Sequence, residues 1–377
     1  MIIMRKHIYA DNAATTKLDK EAFEAMIPWL TEEYANPSQP YFFSRPAKKA
    51  VADARATIAA CINADPDEIL FTSGGTESDN WAIKGISATN NTRRATITSA
   101  FEHHAVLRSC EAIERLGYPV AYIWPDQNGI ITPDALRSII TNQTILVSVM
   151  YVNNELGTIQ PIQELCEIAH AHNALFHTDA VQAVGHTEID VKKLGVDILS
   201  ASAHKFNGPK GIGFQYIRKG VKLSPYTNGG AQEFGLRAGT ENVASIVGMA
   251  IALKNNIEAL KANREKVKSL EDLLIDKLDK SQIPYIRNGS HQTQPGIISL
   301  SFEGKDGEAI LHRMDLNGIS ISTGSACDSK NTEISHVLRS IKMEESYARG
   351  TIRISLGKDN SKDDVDAIVQ ALTQIIK

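Results

Sequence analysis

Hydrophobic and polar positions follow a regular order between about residue 69 and residue 217. Short apolar runs alternate with stretches of helical periodicity, which predicts an α/β fold with a mostly parallel seven-stranded sheet and helices on both faces. The run 145–150 is almost continuously apolar, as in a strand buried on both sides. The predicted strands are 68–72, 95–99, 120–124, 145–151, 174–178, 197–202 and 213–217. The helices predicted between them are 76–86, 105–116, 162–172 and 191–194.

The pattern changes after residue 240. A long helical segment with few breakers, 243–278, is predicted to link the large domain to a smaller one. The remainder predicts an α+β domain with strands 296–302 and 351–356 and helices 307–315, 333–339 and 361–376. We expect residues 8–10 to join this domain as an arm. The predicted domains are therefore 15–255 (large) and 1–14 with 256–377 (small).

Composition narrows the classes of protein that fit. The chain has 377 residues, 42% hydrophobic and 22% charged, with a formal net charge of -4, which is typical of a soluble protein with two domains. This mild acidity argues against nucleic acid as a partner. No apolar run is long enough to cross a bilayer, and residues 1–7 lack the apolar core of a signal peptide. We therefore expect a cytoplasmic protein with no membrane partner.

The four cysteines differ in their surroundings. Cys61, Cys110 and Cys166 share apolar helical stripes with their neighbours and are predicted to be core residues. Cys327 lies in the small-residue run 322–329, where a thiol is accessible and mobile enough to react, unless it is an incidental exposed cysteine. No CxxC spacing is present, and no metal site is predicted.

Lys205 is the residue with the most informative placement. It follows the apolar stretch 196–199 and precedes the Gly/Pro-rich turn 207–211. A lysine at the end of a buried strand is poorly placed as a surface charge. It is well placed to form a Schiff base with an aldehyde cofactor, because its amine is held rigidly and partly desolvated.

Other polar residues follow predicted strands. Ser73-Gly74-Gly75-Thr76, between a strand and a helix, predicts either a site for a single phosphate or a plain turn, and it lacks the lysine of a nucleotide-binding loop. Asp179 closes a buried strand and needs a cationic partner such as a protonated pyridine nitrogen. Asn154 and Gln182 are placed to hydrogen-bond the ring oxygen of such a cofactor, and His103 to stack on its ring.

Ten motifs together resemble the NifS/IscS-like cysteine desulfurases of the class V aminotransferase superfamily, over nearly the whole chain and in order. They are Asp11-Asn12-Ala13-Ala14-Thr15-Thr16; Asn36-Pro37-Ser38; Phe71-Thr72-Ser73-Gly74-Gly75-Thr76-Glu77-Ser78; Glu102-His103-His104-Ala105-Val106; Asn153-Asn154-Glu155-Leu156-Gly157; His177-Thr178-Asp179-Ala180-Val181-Gln182; Ser202-Ala203-His204-Lys205; Arg237-Ala238-Gly239-Thr240; Ser325-Ala326-Cys327; and Arg353-Ile354-Ser355-Leu356-Gly357.

The resemblance implies the fold type I of pyridoxal 5'-phosphate (PLP) transferases and a role for each site residue. Lys205 would carry PLP, Asp179 would pair with its ring nitrogen and His103 would stack on the ring. Arg353, assisted by Asn154, would bind the substrate carboxylate. The phosphate would be held by Gly75, Thr76, Ser202 and His204, and by Thr240 of the partner subunit in a homodimer; Asn154 and Gln182 would lie on the ring oxygen side.

The resemblance also implies the reaction. L-cysteine would be converted to L-alanine, and its sulfur would pass to Cys327 as a persulfide. Lys205 would remove the Cα proton, and His103 would act as a proton donor or acceptor. The persulfide would then serve an acceptor protein in iron-sulfur cluster assembly or thio-modification.

The chain departs from the family pattern at three places. In 39–46, Tyr41 replaces the common histidine and Ser44 the common glycine, which affects a segment expected near the mouth of the site. Phe234 replaces an arginine near the expected dimer interface. The chain ends at Lys377, without the longer tail that some members use to bind scaffold proteins, so delivery to such a scaffold is not expected.

Other functions remain open at this point. The same residues allow a selenocysteine lyase, or a class V aminotransferase or lyase acting on another amino acid. Cys327 favours sulfur transfer, because an aminotransferase has no need of it. A non-catalytic partner subunit is disfavoured by the joint presence of Lys205, Asp179, His103 and Arg353, and a nucleotide-dependent enzyme by the glycine loop.

Overall fold

The computed structural model describes residues 7–89, 94–290, 292–323 and 334–377. Its strands are β1 (Ile8–Tyr9), β2 (Ile69–Thr72), β3 (Ala95–Ser99), β4 (Val120–Ile123), β5 (Thr144–Ser148), β6 (Leu175–Asp179), β7 (Ile198–Ser202), β8 (Gly213–Ile217), β9 (Ile286–Arg287), β10 (Ile297–Ser301), β11 (Ile319–Ser320) and β12 (Thr351–Ser355). Its helices are α1 (Lys20–Thr31), α2 (Arg45–Cys61), α3 (Gly75–Ser87), α4 (His104–Arg115), α5 (Pro133–Ile139), α6 (Ile162–Ala171), α7 (Val191–Leu194), α8 (Val243–Glu258), α9 (Leu260–Lys280), α10 (Gly307–Leu316), α11 (His336–Ser340), α12 (Glu345–Ala348) and α13 (Lys362–Ile376).

The central feature is a seven-stranded sheet in the order β2-β8-β7-β6-β5-β3-β4. Only β8 runs antiparallel to its neighbours β2 and β7. Every residue of β5, β7 and β8 is buried, because helices cover both faces of the sheet. The predicted α/β fold class with a mostly parallel sheet is therefore confirmed. The register pairs Asp179 with Ser200, so β6 and β7 end side by side.

The strand bounds shift slightly from the predicted ones, and one shift matters for the site. Strand β6 runs one residue further than predicted and includes Asp179, while β5 ends at Ser148, three residues earlier than predicted. Residues 149–151 follow the end of β5, and they are also shielded from solvent: Val149 and Met150 are buried and Tyr151 is half-buried. Hydrophobicity alone therefore does not distinguish the last residues of a strand from a buried segment that follows it.

A second, smaller sheet has three antiparallel strands in the order β12-β10-β9. Its apolar cluster includes Leu274 from α9, Ile352 from β12 and Leu372 from α13. The N-terminal arm joins it as expected, since β1 pairs with β11 in parallel and Ile8 belongs to the same cluster. The domain bounds 15–255 and 256–377 themselves remain a prediction.

The long helical segment predicted over 243–278 is wrong in one respect, because it is two helices. Helix α8 ends at Glu258, α9 begins at Leu260, and the two axes differ by 71°. Neither proline nor glycine marks the break. Helix α8 packs in the core of the large sheet, whereas α9 buries Val267 and Leu270 in the other apolar cluster, so the two helices follow different surfaces. In the described part of the chain, no single helix has the length and hydrophobicity to span a membrane, although this bent pair meets both criteria when it is counted together.

Candidate cofactor and substrate site

A cavity of about 540 Å³ opens at the carboxyl ends of β6 and β7, where ligands gather in sheets of this kind. It brings together ten of the predicted site residues: Gly75, Thr76, His103, Asn154, Asp179, Gln182, Ser202, His204, Lys205 and Arg353. Thr240 is exposed and is not among the described lining residues of this cavity. Cys327 lies outside the described residues.

Lys205 ends a short 3₁₀ turn, Ala203–Lys205, that follows β7 directly. Its Nζ donates hydrogen bonds to the carbonyl oxygens of Ala13 (2.6 Å) and Ala14 (2.8 Å) in the N-terminal arm. The amine is thus held inside the cavity by neutral acceptors. The amine lines the cavity, where covalent chemistry with a bound cofactor would take place.

One end of the cavity is formed by the N-terminus of α3. Gly74 is the N-cap with φ of 144°, a conformation that favours glycine, and a Cβ there would lie 3.3 Å from Ser202 Oγ. Gly75 and Thr76 form the first turn, so their N–H groups point toward the cavity. His204 is held by Thr15 Oγ1 at 3.1 Å, and burial lowers its pKa to about 4, so it is neutral at pH 7. A helix N-terminus of this kind binds phosphate without a lysine.

Asp179 is a buried carboxyl group at the end of β6. Its Oδ1 accepts a hydrogen bond from the Val181 N–H at 2.9 Å. Burial raises the pKa of Asp179, while His103, the Val181 N–H and Lys205 act in the opposite direction. A buried carboxylate placed this way is stabilised by a cationic ligand, and a protonated ring nitrogen is one.

His103 is the N-cap of α4, and its Nδ1 accepts a hydrogen bond from the Ala105 N–H at 3.1 Å. Burial lowers its pKa, so the ring is neutral near pH 7. Because Nδ1 is an acceptor, the proton of the neutral ring is on Nε2. The imidazole lies against the cavity with a fixed orientation, which suits stacking on a flat ring and proton exchange through Nε2.

Arg353 comes from β12, in the smaller sheet, and is only 3% exposed. Its Nη1 donates to the backbone oxygen of Asn154 at 2.8 Å, and its Nη2 forms an ion pair with Asp11 at 2.8 Å. A planar guanidinium fixed at two points is well suited to bind a carboxylate with its remaining donors. Asn154 therefore acts here through its backbone as well as lining the cavity.

Sequence reasoning missed several residues around this cavity: Asp79, Glu102, His104, Glu155 and His336. Asp79 had a signal in the sequence, because on α3 it lies on the same face as the buried Ala82, Ile83 and Ile86. A charged residue on a buried helical stripe indicates a functional or paired group. His336 had no such signal, since only the fold places its ring 4.7 Å from that of His104.

The residues of the cavity fit a PLP molecule. A helix N-terminus lies at one end, a buried carboxyl at the other, and a lysine amine with a neutral histidine ring between them. Within the described residues, Asp79, His103 and Asp179 also form a group whose donor atoms all lie within 4.8 Å of one another and could hold a metal ion. The lysine amine and the helix N-terminus in the same cavity fit the cofactor at this position.

The departures from the family pattern lie away from the cavity. None of residues 39–46 is among its described lining residues, although Tyr41 and Phe42 are exposed at 51% and 78%. Ser44 is buried, and its hydroxyl donates to backbone oxygens of the same loop. Phe234 is 61% exposed, with the Arg55 guanidinium 5.2 Å from its ring centre.

The other three cysteines are not placed for catalysis. Cys110 and Cys166 are buried as predicted, and burial raises the pKa of each thiol to about 12. Cys61 is half-buried at the end of α2, a little more exposed than a core residue, and burial raises its pKa to about 11.

Comparison with known proteins agrees with this geometry. The Aminotransferase class-V family matches residues 8–368. The cysteine desulfurase IscS of Dictyoglomus turgidum is 46% identical over 99% of this chain and 95% of its own length. Among solved structures, a NifS-like protein has a TM-score of 0.92 at 36% identity, covering 98% of this chain and 99% of its own. SspA in complex with cysteine has a TM-score of 0.84 at 35% identity, covering 94% of this chain and 100% of its own. The chain therefore belongs to the aminotransferase class-V family, and its predicted resemblance to the cysteine desulfurases is confirmed.

Proposed function

We propose that this protein is a PLP-dependent cysteine desulfurase that converts L-cysteine to L-alanine. The observation that carries the proposal is one cavity in which Lys205, Asp179 and His103 meet Arg353, which is a carboxylate-binding group from the other sheet. A chain that only bound a partner would have no need for this combination. The similarity to cysteine desulfurases over 99% of the chain supports the same conclusion.

The cavity would hold the cofactor at four points. Lys205 would bind it covalently, Asp179 would pair with its ring nitrogen, His103 would cover one ring face, and the start of α3 would hold its phosphate with Ser202 and His204. Asn154 and Gln182 would lie on the side of the ring oxygen. When bound, PLP withdraws electrons from the substrate Cα.

Substrate binding depends on Arg353. Its guanidinium is fixed by Asp11 and by the Asn154 carbonyl, so little side-chain entropy is lost when a carboxylate binds. The Lys205 amine, when it is not bound to the cofactor, would remove the Cα proton of the substrate. His103, neutral at pH 7, accepts or supplies a proton at Nε2 in the same cavity.

Sulfur transfer is assigned to Cys327 by its motif. Its thiolate attacks the substrate sulfur; a sulfur–sulfur bond forms as the Cβ–sulfur bond breaks, and the electron pair stays on the carbon skeleton. Protonation of that skeleton leads to alanine, and Cys327 keeps the persulfide. An acceptor protein then receives the sulfur for iron-sulfur clusters or thio-modification.

A homodimer is part of the proposal. Thr240 faces solvent in the single chain, and Arg237, three residues before it, is fixed to Glu77 at the start of α3 by bonds of 2.9 and 3.2 Å. The loop of Thr240 therefore lies near the start of α3, at the surface. Contact with the partner's cofactor phosphate would account for its position. The cytoplasmic location stays a prediction, which cell fractionation would test.

The test is a paired assay of alanine and sulfide formed from L-cysteine in the presence of a reductant. Wild type should form both in equal amounts, and Cys327→Ser should form neither while it keeps the visible absorbance of bound PLP. Cys61→Ser is the matched control, because that thiol lies outside the cavity, and it should behave as wild type. Normal sulfide release by Cys327→Ser would rule out Cys327 as the acceptor.

A further inference from the structure

Asp79 is a buried acid for which the reaction above has no role. It lies on α3, is 1% exposed and lines the cavity. Its Oδ1 accepts no hydrogen bond in the described part of the chain, and His177 Nε2 lies 3.7 Å from it, beyond hydrogen-bonding distance. That nitrogen lies 3.0 Å from Ser200 Oγ. An ionised carboxylate in this buried position would be costly, because the Ser200 hydroxyl favours its charge while burial, Asp179 and Glu102 all oppose it.

Asp79 also lies close to Asp179, because an oxygen atom of one carboxyl group lies within 4.8 Å of an oxygen atom of the other. Two ionised carboxylates this near to each other and buried repel strongly, so one of them keeps a proton. Asp179 is the better place for the negative charge, because the Val181 N–H donates to it and His103 and Lys205 favour its ionised form. Asp79 has only the Ser200 hydroxyl in its favour.

The other titratable groups around Asp79 do not change which of the two carboxyl groups keeps its proton. Glu102 adds a further acidic group nearby, and it acts in the same direction as Asp179. His177 is fully buried, and burial lowers its pKa to about 3, so it supplies no positive charge at neutral pH. The pKa of Asp79 is raised well above its ordinary value, first by burial and then by Asp179.

We propose that Asp79 is a positioning residue for Asp179: it keeps its proton, and so leaves Asp179 as the single negative charge that faces the cofactor's ring nitrogen. This proposal rests on the cofactor role assigned to the cavity. A neutral acid in this position lies beside Asp179 without repelling it.

The first arm of the test needs no cofactor. The infrared carbonyl band of protonated carboxylic acids is recorded on cofactor-free protein between pH 5 and 8. Wild type should show carbonyl absorption from two protonated acids, Asp79 and Glu102, and Asp79→Asn should remove one of these two components. Glu102→Gln is the matched control, because Glu102 is the other buried acid nearby, and the Asp79 band should survive it. An unchanged band in Asp79→Asn would show that Asp79 is ionised and would overturn the proposal.

The second arm measures PLP affinity by absorbance titration onto the same cofactor-free proteins. Asp79→Asn, which mimics the neutral acid, should stay within about twofold of wild type, whereas Asp79→Ala should bind about tenfold more weakly because it leaves Asp179 without its neighbour. Equal losses in both variants would mean that Asp79 acts through its charge, and no loss in either would mean that it has no role; each result contradicts the proposal. If wild type itself fails to bind PLP, the proposed function fails, and the infrared arm still decides the state of Asp79.

Discussion

The two sides of the cavity are built in different ways. The cofactor side comes from consecutive strand ends of one sheet, since Asp179 closes β6, Ser202 closes β7 and Lys205 follows three residues later. The substrate side joins distant parts of the chain, because Arg353 from β12 is held by Asp11 and by the Asn154 carbonyl. Strand ends of a single sheet are positioned by its register, whereas the substrate side depends on how two layers pack.

The N-terminal arm connects the two sides. The Ala13 carbonyl accepts from Lys205 Nζ and from Gln182 Nε2, while the Ala13 N–H donates to Ser355 Oγ next to Arg353. A shift of the arm would therefore move both the lysine and the carboxylate-binding side. Both sides are therefore sensitive to the packing of the arm, although only the substrate side draws its residues from distant parts of the chain.

The largest effect is expected at Lys205. Lys205→Ala should lose covalent PLP and all turnover, because it removes the amine that is assigned to the Schiff base. Lys210 is the one other lysine among the described residues that line the cavity. Lys205→Arg keeps the positive charge and tests whether charge alone suffices; it should also be inactive. Both are measured by visible absorbance and by alanine production. Alanine production by either variant at the wild-type rate would break the assignment of the cofactor side.

The next effect is expected at Arg353. Arg353→Ala should lower kcat/KM by roughly 100-fold, mainly through KM, because it loses charge-assisted hydrogen bonds to the substrate carboxylate. Arg353→Lys keeps the charge without the fork and should fall between wild type and Arg353→Ala. Steady-state kinetics on L-cysteine measure this, and thermal unfolding checks that the buried side chain is not needed for folding. An unchanged dependence on cysteine concentration would remove Arg353 from the substrate side.

The smallest effect on the site is expected at Glu102, where the measured quantity is the dependence of the unfolding free energy on pH. Glu102 is buried, accepts from the Met150 N–H at 2.8 Å, and has a pKa raised by burial to about 8 from 4.5. The folded state therefore binds more protons than the unfolded state between these values. This contribution is complete below pH 4.5 and is lost as the pH rises through 8, with a slope of at most about 1.4 kcal/mol per pH unit.

Glu102→Gln should flatten the dependence of unfolding free energy on pH over this window, as measured by denaturant titration from pH 5 to 8. Glu24→Gln, at an exposed position on α1, is the matched control and should keep the wild-type slope. A slope in Glu102→Gln identical to that of wild type would show that Glu102 is ionised in the folded protein.

Much of the site could be predicted because its signals are local. A lysine after an apolar strand and an acid at a strand end are visible in the sequence, and parallel strands bring their carboxyl ends to one edge. Asp79 was visible in principle as a charged residue on an apolar helical stripe. The break between α8 and α9 was not visible, because no helix-breaking residue lies between Glu258 and Leu260. It results from packing against two different apolar clusters.

The amino-acid sequence by itself determined the class of sheet, the order of its strands along the chain and the residues with chemistry at their ends, because hydrophobic periodicity and strand-end placement are properties of neighbouring residues. Only the tertiary structure decided that Asp11 and Asn154 hold Arg353, that Ala13 receives Lys205, and that Asp79 faces Asp179. These contacts join residues 100 to 342 positions apart. Such pairs are set by the packing of layers and by desolvation, which no local pattern in the chain records.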